Sequence, residues 1–224
     1  MKRFFVTAAV IIVLLMAVIV VRTLLHQPPA AIDIEQVEIE LNQTELAQHL
    51  SESIQFQTVS FQSPEYKDRT QFTGFINWVH TTFNLVHERL EYIPINDTIL
   101  YRWPGSDTSL QPILVTGHYD VVPVIPGTES LWKHPPFTGV IADGVIWGRG
   151  ALDDKSGVVG ILEATTYLLE SGYQPTRTVY LSFGHDEEIG GSEGAAAVVA
   201  YLKQQGIQLA WSLDEGSFIF DGLI

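Results

Sequence analysis

The sequence predicts an α/β fold, in which helices cover the faces of a sheet. Three apolar segments typical of buried strands each end in a polar cluster, and helical segments lie between the later ones. Strands alternating with helices are typical of an α/β sheet. Because ligands of such sheets collect beyond the carboxyl ends of strands, we expect the clusters to lie at one edge. The clusters are residues 118–120, 185–188 and 214–215.

The individual elements follow from hydrophobic spacing and from turn residues. Asn42 or Thr44 is expected to cap a helix that runs to Ile54. Apolar residues at helical spacing predict further helices over residues 72–86, 158–169 and 194–205. Strands are predicted over residues 90–95, 99–103, 113–116, 178–183 and 210–213, with a β-hairpin over residues 140–147 around Asp143-Gly144.

An apolar segment near the N-terminus, residues 4–21, is long enough to cross a bilayer. Lys2 and Arg3 precede it and Arg22 follows it. A basic start before an apolar run is also typical of a cleaved signal peptide, but this run is longer than usual and no small-residue cleavage site follows. We therefore favour an uncleaved signal-anchor over cleavage and secretion or release to the periplasm.

The domain boundaries follow from this reading of the N-terminus. We predict a signal-anchor or transmembrane segment over residues 1–25, a linker over residues 26–43 and an exported globular part over residues 44–224. In the linker, Pro28-Pro29 and alternating aliphatic and acidic residues interrupt any regular core pattern. The protein is then a single-pass membrane protein.

The charge balance excludes some partners. The formal net charge is −14, with 26 acidic and 12 basic residues. Such a surface repels nucleic acid and anionic lipid headgroups, so we expect no nucleic-acid partner, and contact with a membrane only through the N-terminal segment. The sequence contains no cysteine. A metal would therefore be held by histidine and carboxylate side chains rather than by thiolates.

A glycine-rich stretch, residues 148–157, contains the adjacent acids Asp153 and Asp154 directly before a predicted helix. Acids at the start of a helix either cap its free N–H groups or contribute to a cation site. The stretch alone is compatible with both. The neighbouring clusters favour the cation site.

His118 and Asp120 follow the strand over residues 113–116 and are two residues apart. In extended backbone such residues face the same side. A metal-binding histidine commonly donates its other ring N–H to a carboxylate, which fixes its tautomer. Asp120 is placed to accept that hydrogen bond from His118.

Two further pairs of acids, Glu187-Glu188 and Asp214-Glu215, follow the next two strands. Adjacent strand residues point to opposite faces, so both members of a pair can serve one site only where the strand has ended. Carboxylates gathered in one place repel each other unless cations bind among them. A histidine with several carboxylates suits zinc, with room for two ions about 3.5–4 Å apart.

Four motifs in order resemble one enzyme family, namely GHYDVVP (117–123), WKHPPF (132–137), GRGALDDK (148–155) and DEEIGG (186–191). They are similar to the two-zinc exopeptidases and amidohydrolases that include carboxypeptidase S, aminoacylase and glutamate carboxypeptidase, and most of all to carboxypeptidase S and the secreted N-acyl-amino-acid hydrolases. The resemblance implies a three-layer α/β catalytic domain with a mixed, mostly parallel sheet.

The resemblance also implies roles for individual residues. His118 binds a metal and Asp120 orients it. Asp153 bridges two metals, and the Asp153–Asp154 peptide bond is expected to be cis. Glu187 is the general base and then the acid for the leaving amine. Glu188 binds a metal.

A further ligand is expected at the end of the last predicted strand. The acyl-amino-acid hydrolases favour Asp214 there, whereas the aminoacylase pattern points to Glu215. The family takes one more ligand, a distal histidine, from a part of the catalytic domain that follows an inserted lid domain. No histidine follows Asp214 in this sequence. We therefore expect residues 44–224 to be the N-terminal part of the catalytic domain, without the lid.

The implied function is hydrolysis of a peptide or N-acyl amide bond next to a free C-terminal carboxylate. Two Zn²⁺ ions are the expected cofactors, with Co²⁺ or Mn²⁺ as alternatives because histidine and carboxylates bind all three. The expected partners are a small peptide or N-acyl amino acid, the membrane, and a second subunit bound through the lid. The competing hypothesis is a truncated, non-catalytic binding module of the same fold.

Overall fold

The computed structural model describes residues 2–26 and 39–216, and the chain divides into two compact units, Met1–Glu40 and Leu41–Ile224. The first unit contains helix α1, Lys2–Leu25, in which the most apolar 18-residue window has a mean hydropathy of 3.2. This helix is long and apolar enough to cross a membrane, and a signal sequence would have the same character. Most of the predicted linker, residues 27–38, lies outside the described residues.

The second unit contains five α-helices and seven strands within its described residues. The helices are α2 Gln43–Ile54, α3 Arg69–Thr82, α4 Asn84–Arg89, α5 Lys155–Glu170 and α6 Ala195–Gln204. The strands are β1 Glu91–Ile95, β2 Thr98–Trp103, β3 Ile113–His118, β4 Val140–Ala142, β5 Val145–Trp147, β6 Val179–Gly184 and β7 Trp211–Leu213.

These elements confirm most of the sequence prediction and decide one alternative. Asn42, rather than Thr44, caps α2, because its side-chain oxygen accepts a hydrogen bond from the Glu45 amide at 3.3 Å. Strand β3 is longer than predicted and continues through Gly117, so that His118 is its last residue. The glycine therefore does not break the strand.

The predicted helix over residues 72–86 is wrong in its boundaries. The chain forms α3, which Asp68 caps, and then α4, with a break at Phe83 where φ is −104° and ψ is 47°. Phe83 and Val86 are buried in the same core as the apolar face of α3. Because both short helices bury their apolar residues in one core, the spacing looks continuous across the break.

The main sheet is mixed, as predicted, with the strand order β1-β2-β6-β3-β7. The β1–β2 and β2–β6 pairs are antiparallel, whereas β6–β3 and β3–β7 are parallel. Two of the four described strand pairs are therefore parallel, whereas the resemblance implied a mostly parallel sheet. The carboxyl ends of β3, β6 and β7 share one edge, where all three polar clusters begin.

Two hydrophobic clusters show that helices cover both faces of this sheet. On β2, Ile99 and Tyr101 belong to the larger cluster, with residues of α3, α4 and α5. Leu100, between them, belongs to the smaller cluster with Val198 and Leu202 of α6. Since successive strand residues point to opposite faces, the arrangement has three layers, helix–sheet–helix. This matches the predicted α/β architecture.

The larger core holds the end of β3 in place. Tyr119, which lies between His118 and Asp120, is fully buried and stacks on Phe75 with ring centroids 4.4 Å apart. Its hydroxyl donates a hydrogen bond to the main-chain carbonyl of Asp97 at 2.6 Å. Aromatic packing therefore fixes the backbone on which the first polar cluster is carried.

Candidate metal centre

His118 is the centre of the candidate site. Its side chain is only 3% exposed, and its Nδ1 lies 3.0 Å from the main-chain carbonyl oxygen of Asp120. A carbonyl can only accept, so this contact places a ring proton on Nδ1, and a bound divalent ion would take the place of the second proton at Nε2. Nε2 faces carboxylate oxygens of Asp153 at 3.0 Å, Glu215 at 3.5 Å and Glu187 at 3.7 Å.

Asp120 has a larger role than the sequence predicted. Its Oδ1 lies 3.4 Å from Nδ1 of His118, so the expected orienting contact is longer than the main-chain one. The same carboxylate is fully buried and accepts hydrogen bonds from the backbone amides of Glu187 at 3.1 Å and Glu188 at 3.2 Å. Asp120 therefore connects the end of β3 to the pair of acids that follows β6.

Asp153 and Asp154 have different positions at the site. Asp153 is 68% exposed in its side chain and reaches His118, whereas Asp154 is buried and accepts a hydrogen bond from the His118 amide at 3.3 Å. Asp154 also occupies the N-cap position of α5, where its side chain makes no capping hydrogen bond. The peptide bond between the two acids is cis, as expected. One acid thus faces the site while the other supports it from behind.

The described residues contain two groups that could hold a metal ion, with ligand atoms within 4.8 Å of one another. One is His118, Glu187 and Glu215, and the other is His118, Asp153 and Glu188. Both depend on His118. One nitrogen with several carboxylate oxygens is a donor set that suits Zn²⁺ and similar divalent ions. The side chains present therefore fit the metal that the resemblance implies.

The electrostatics of the site favour positive charge. Burial opposes protonation of His118, but the hydrogen bond and charge of Asp120, with Glu215 and Glu187, raise the pKa of the imidazole to about 10. Burial also raises the pKa of Glu188, and the nearby charge of Asp153 adds to this shift. The pKa of Glu215 is raised as well, chiefly by burial. Crowded acids with raised pKa values are stabilised when a cation binds between them.

The structure brings together five of the six predicted site residues. His118, Asp120, Asp153, Glu187 and Glu188 lie at one edge of the sheet. The sixth, Asp214, belongs to neither metal group. It lines an apolar cleft beside His118, and its Oδ1 accepts a hydrogen bond from the Glu215 amide at 2.9 Å. Glu215, the alternative at this position, is in one of the groups.

The other histidines that the structure describes lie outside the two groups. His185 is buried, and its Nδ1 lies 2.8 Å from the Thr98 hydroxyl. His80 and His87, seven residues apart in the chain, pack against each other. Their rings stack 3.9 Å apart, with Tyr92 against His80. The break between α3 and α4 folds the two short helices so that these rings meet.

Ser60 is a site residue that the sequence reasoning missed. Its hydroxyl donates a hydrogen bond to Oδ2 of Asp120 at 2.6 Å. Ser60 is 60 positions away in the chain and reaches Asp120 through an isolated parallel bridge between Val59 and Val121. Neither spacing nor a local motif signals such a contact.

The fold and this cluster define an α/β protein with a candidate metal centre at the carboxyl edge of its sheet. Residues 114–220 match the sequence model of "Peptidase family M20/M25/M40". A probable carboxypeptidase S-like 2 from Dictyostelium discoideum is 43% identical over 180 residues, which is 79% of this chain and 34% of that protein. The human N-fatty-acyl-amino acid synthase/hydrolase PM20D1 is 42% identical, with 78% of this chain and 34% of that protein covered.

Solved structures agree on the fold. Human carnosine dipeptidase 1 superposes with a TM-score of 0.62 at 21% identity, covering 79% of this chain and 39% of that one. The M20 family metallo-carboxypeptidase Sso-CP2 from Sulfolobus solfataricus also gives 0.62, at 23% identity, over 78% and 38% of the two chains. The chain belongs to the M20 peptidase family. It spans about a third of the length of the curated relatives it matches.

Proposed function

We propose that this chain carries the metal site of a hydrolase that cleaves a peptide or N-acyl amide bond next to a free C-terminal carboxylate. The observation that carries the proposal is the cluster around Nε2 of His118, where carboxylates that follow three different elements converge on one imidazole. A bound divalent ion supplies Lewis acidity, which polarises the amide carbonyl of the substrate. Membership of a metallopeptidase family supports this chemistry.

His118, Asp153 and Glu188 would hold the ion, with Asp153 shared between two ions if two are bound. Asp153 suits the shared position because it is the most exposed carboxylate within reach of His118. Asp214 was the predicted ligand beyond β7, and Glu215 has the closer contact with His118. We keep both as candidates for that position, and Zn²⁺, Co²⁺ and Mn²⁺ as candidate ions.

Glu187 is proposed as the general base. Asp120 holds its backbone amide, while its side chain is 56% exposed and its Oε2 lies 3.7 Å from Nε2 of His118. A glutamate whose backbone is held and whose carboxylate is free to move can take a proton from the attacking water and pass it to the leaving amine. Both acids belong to a metal group, Glu187 with Glu215 and Glu188 with Asp153. We assign the base to Glu187 because it is the exposed one of the two, whereas Glu188 is half-buried.

The names of the relatives support a substrate class. The proteins similar to this chain are named carboxypeptidase S, from Saccharomyces cerevisiae, and N-fatty-acyl-amino acid synthase/hydrolase. We propose that the substrate is a small peptide or an N-acyl amino acid, and that it is met outside the cytoplasm. The apolar helix α1 supports export, either as a membrane anchor or as a signal sequence.

The test compares wild type with Glu187→Gln, each in the full-length protein, on a panel of dipeptides and N-acyl amino acids. Loss of a general base lowers kcat by about 10²–10⁴-fold. Glu193→Gln makes the same chemical change at an exposed glutamate outside the metal groups and should leave kcat unchanged. Retained turnover in Glu187→Gln would exclude it as the base. Wild type that binds substrate without turning it over would favour the non-catalytic binding module.

A further inference from the structure

A short segment supports the candidate metal centre from the side, and we call residues 58–60 the strap. The Thr58 hydroxyl donates to the main-chain carbonyl of Tyr119 at 2.6 Å, and the Val121 amide donates to the carbonyl of Thr58 at 3.0 Å. The Ser60 amide then donates to the carbonyl of Val121 at 3.1 Å. The strap therefore runs alongside the residues that follow β3 and is bonded to them at each step.

The hydroxyl of Ser60 leaves this ladder and turns to the site. Its Oγ lies 2.6 Å from Oδ2 of Asp120 and 3.2 Å from the main-chain carbonyl of His185. A hydroxyl has one proton, and hydrogen bonds to ionised acceptors are shorter and stronger than those to neutral ones. The proton is therefore donated to Asp120. Both side chains are buried, so water is a poor substitute for this donor.

The carboxylate that receives this bond controls most of the site. Oδ1 of Asp120 accepts from the Glu187 amide and lies near Nδ1 of His118, and Oδ2 accepts from the Glu188 amide. The Ser60 hydroxyl is the fourth contact of this carboxylate, and its distance of 2.6 Å is the shortest of the four. If it is removed, Oδ2 keeps only the 3.2 Å contact with Glu188, and the carboxylate loses its main restraint against rotation.

We propose that Ser60 is a positioning residue, which fixes the Asp120 carboxylate and, through it, the ring of His118 and the backbone of Glu187 and Glu188. This inference rests on the proposed function in one respect, namely that a divalent ion binds at His118. Partners that orient metal ligands in this way typically contribute about 10–100-fold in metal affinity or activity. Ser60 would act on the ion only through Asp120.

The test uses Ser60→Ala, with Thr58→Val as the matched control. Thr58 is equally buried on the same strap, but its hydroxyl binds a main-chain carbonyl rather than Asp120. Zn²⁺ affinity is measured by competition with a chromophoric chelator, and exchange of the Glu187 and Glu188 amides is followed by NMR in the metal-free protein. Thermal unfolding of each variant shows how much general stability was lost.

We expect Ser60→Ala to lower Zn²⁺ affinity by about 10–100-fold and to speed exchange of the Glu187 and Glu188 amides. Ser60→Thr, which keeps a hydroxyl, should recover most of both. Thr58→Val should lower the melting temperature while keeping the Zn²⁺ affinity and the amide protection of wild type. Equal affinity and exchange in wild type and Ser60→Ala would overturn the inference, as would equal losses in Thr58→Val.

The same measurements separate this inference from the proposed function. Wild type that fails to bind Zn²⁺ would contradict the metal site itself. Faster amide exchange in metal-free Ser60→Ala would in that case still support the positioning of Asp120 by Ser60. If wild type and Ser60→Ala bind Zn²⁺ equally well, the metal site is supported and the positioning role of Ser60 is excluded.

Discussion

Substitution of alanine for glycine should change the stability of the protein in opposite directions at two positions of helix α5. An ideal Cβ at Gly157 would lie 2.3 Å from Oδ1 and 2.7 Å from Oδ2 of Asp154, whereas one at Gly160 meets nothing within 4 Å. The Asp154 carboxylate has little room to move, because a Cβ at Gly117 on the opposite side would lie 2.6 Å from its Oδ2. Gly157→Ala therefore forces the supporting acid of the site out of place, and Gly160→Ala does not.

The expected magnitudes follow from three terms. Alanine in a helix interior is favoured over glycine by about 1 kcal/mol, and both variants gain this term. In Gly157→Ala, overpacking costs about 1–3 kcal/mol. Loss of the hydrogen bond from the buried His118 amide to Asp154 costs about 1–3 kcal/mol more. The net prediction is stabilisation by up to about 1 kcal/mol for Gly160→Ala and destabilisation by about 1–5 kcal/mol for Gly157→Ala.

Thermal unfolding followed by circular dichroism measures the difference. For a folded unit of this size, about 1 kcal/mol shifts the melting temperature by about 2–4 °C. Gly160→Ala should therefore raise the melting temperature slightly, and Gly157→Ala should lower it by about 2–20 °C. If Gly157→Ala were as stable as Gly160→Ala, Asp154 would not be confined between β3 and α5, and the account of its position would be refuted.

Two further predictions concern the core and the stacked histidines. Phe75→Ala removes the ring that stacks on Tyr119 and should lower the free energy of unfolding by about 3–5 kcal/mol. Leu131→Ala, at a residue that is 81% exposed, should change it by less than about 0.5 kcal/mol. Equal melting temperatures of the two variants would contradict this prediction. Burial, and then the nearby charge of His87, lower the pKa of His80 below its ordinary value of about 6.5. Neutral His80 therefore stabilises the fold above that pH, and this stability is lost as the pH falls towards the lowered pKa. His80→Phe keeps an aromatic ring beside the rings of His87 and Tyr92. It should reduce the fall in melting temperature between about pH 7 and pH 5, and an unchanged fall would contradict the assignment.

The sequence was sufficient for the parts of the fold that depend on local pattern. The strands were placed within a few residues because buried strands have continuous apolar runs, and the polar residues at their ends mark the ligand edge of an α/β sheet. The break at Phe83 was not predictable from spacing, since both short helices bury their apolar residues in the same core. The stacking of His80 on His87 depends on that break and was missed with it.

In the candidate site, too, the features that depend on local sequence could be predicted and those that depend on the tertiary fold could not. His118 and the acids after β6 follow strand ends and could be found from the sequence, and the family motifs give their roles. The hydrogen bond from Ser60 to Asp120 connects residues 60 positions apart and depends on the tertiary path of the strap, so no local signal reports it. The choice between Asp214 and Glu215 likewise depends on how the chain turns after β7, which residue spacing does not specify.

The central claim is that the cluster around His118 binds a divalent metal and that Glu187 acts beside the metal without being needed to hold it. Metal content per chain, measured by mass spectrometry after equilibration with Zn²⁺, tests this claim most directly. We expect bound zinc in wild type and in Glu187→Gln, and a large loss of zinc in His118→Ala. Equal zinc content in His118→Ala and wild type, or absence of zinc from all three proteins, would contradict it.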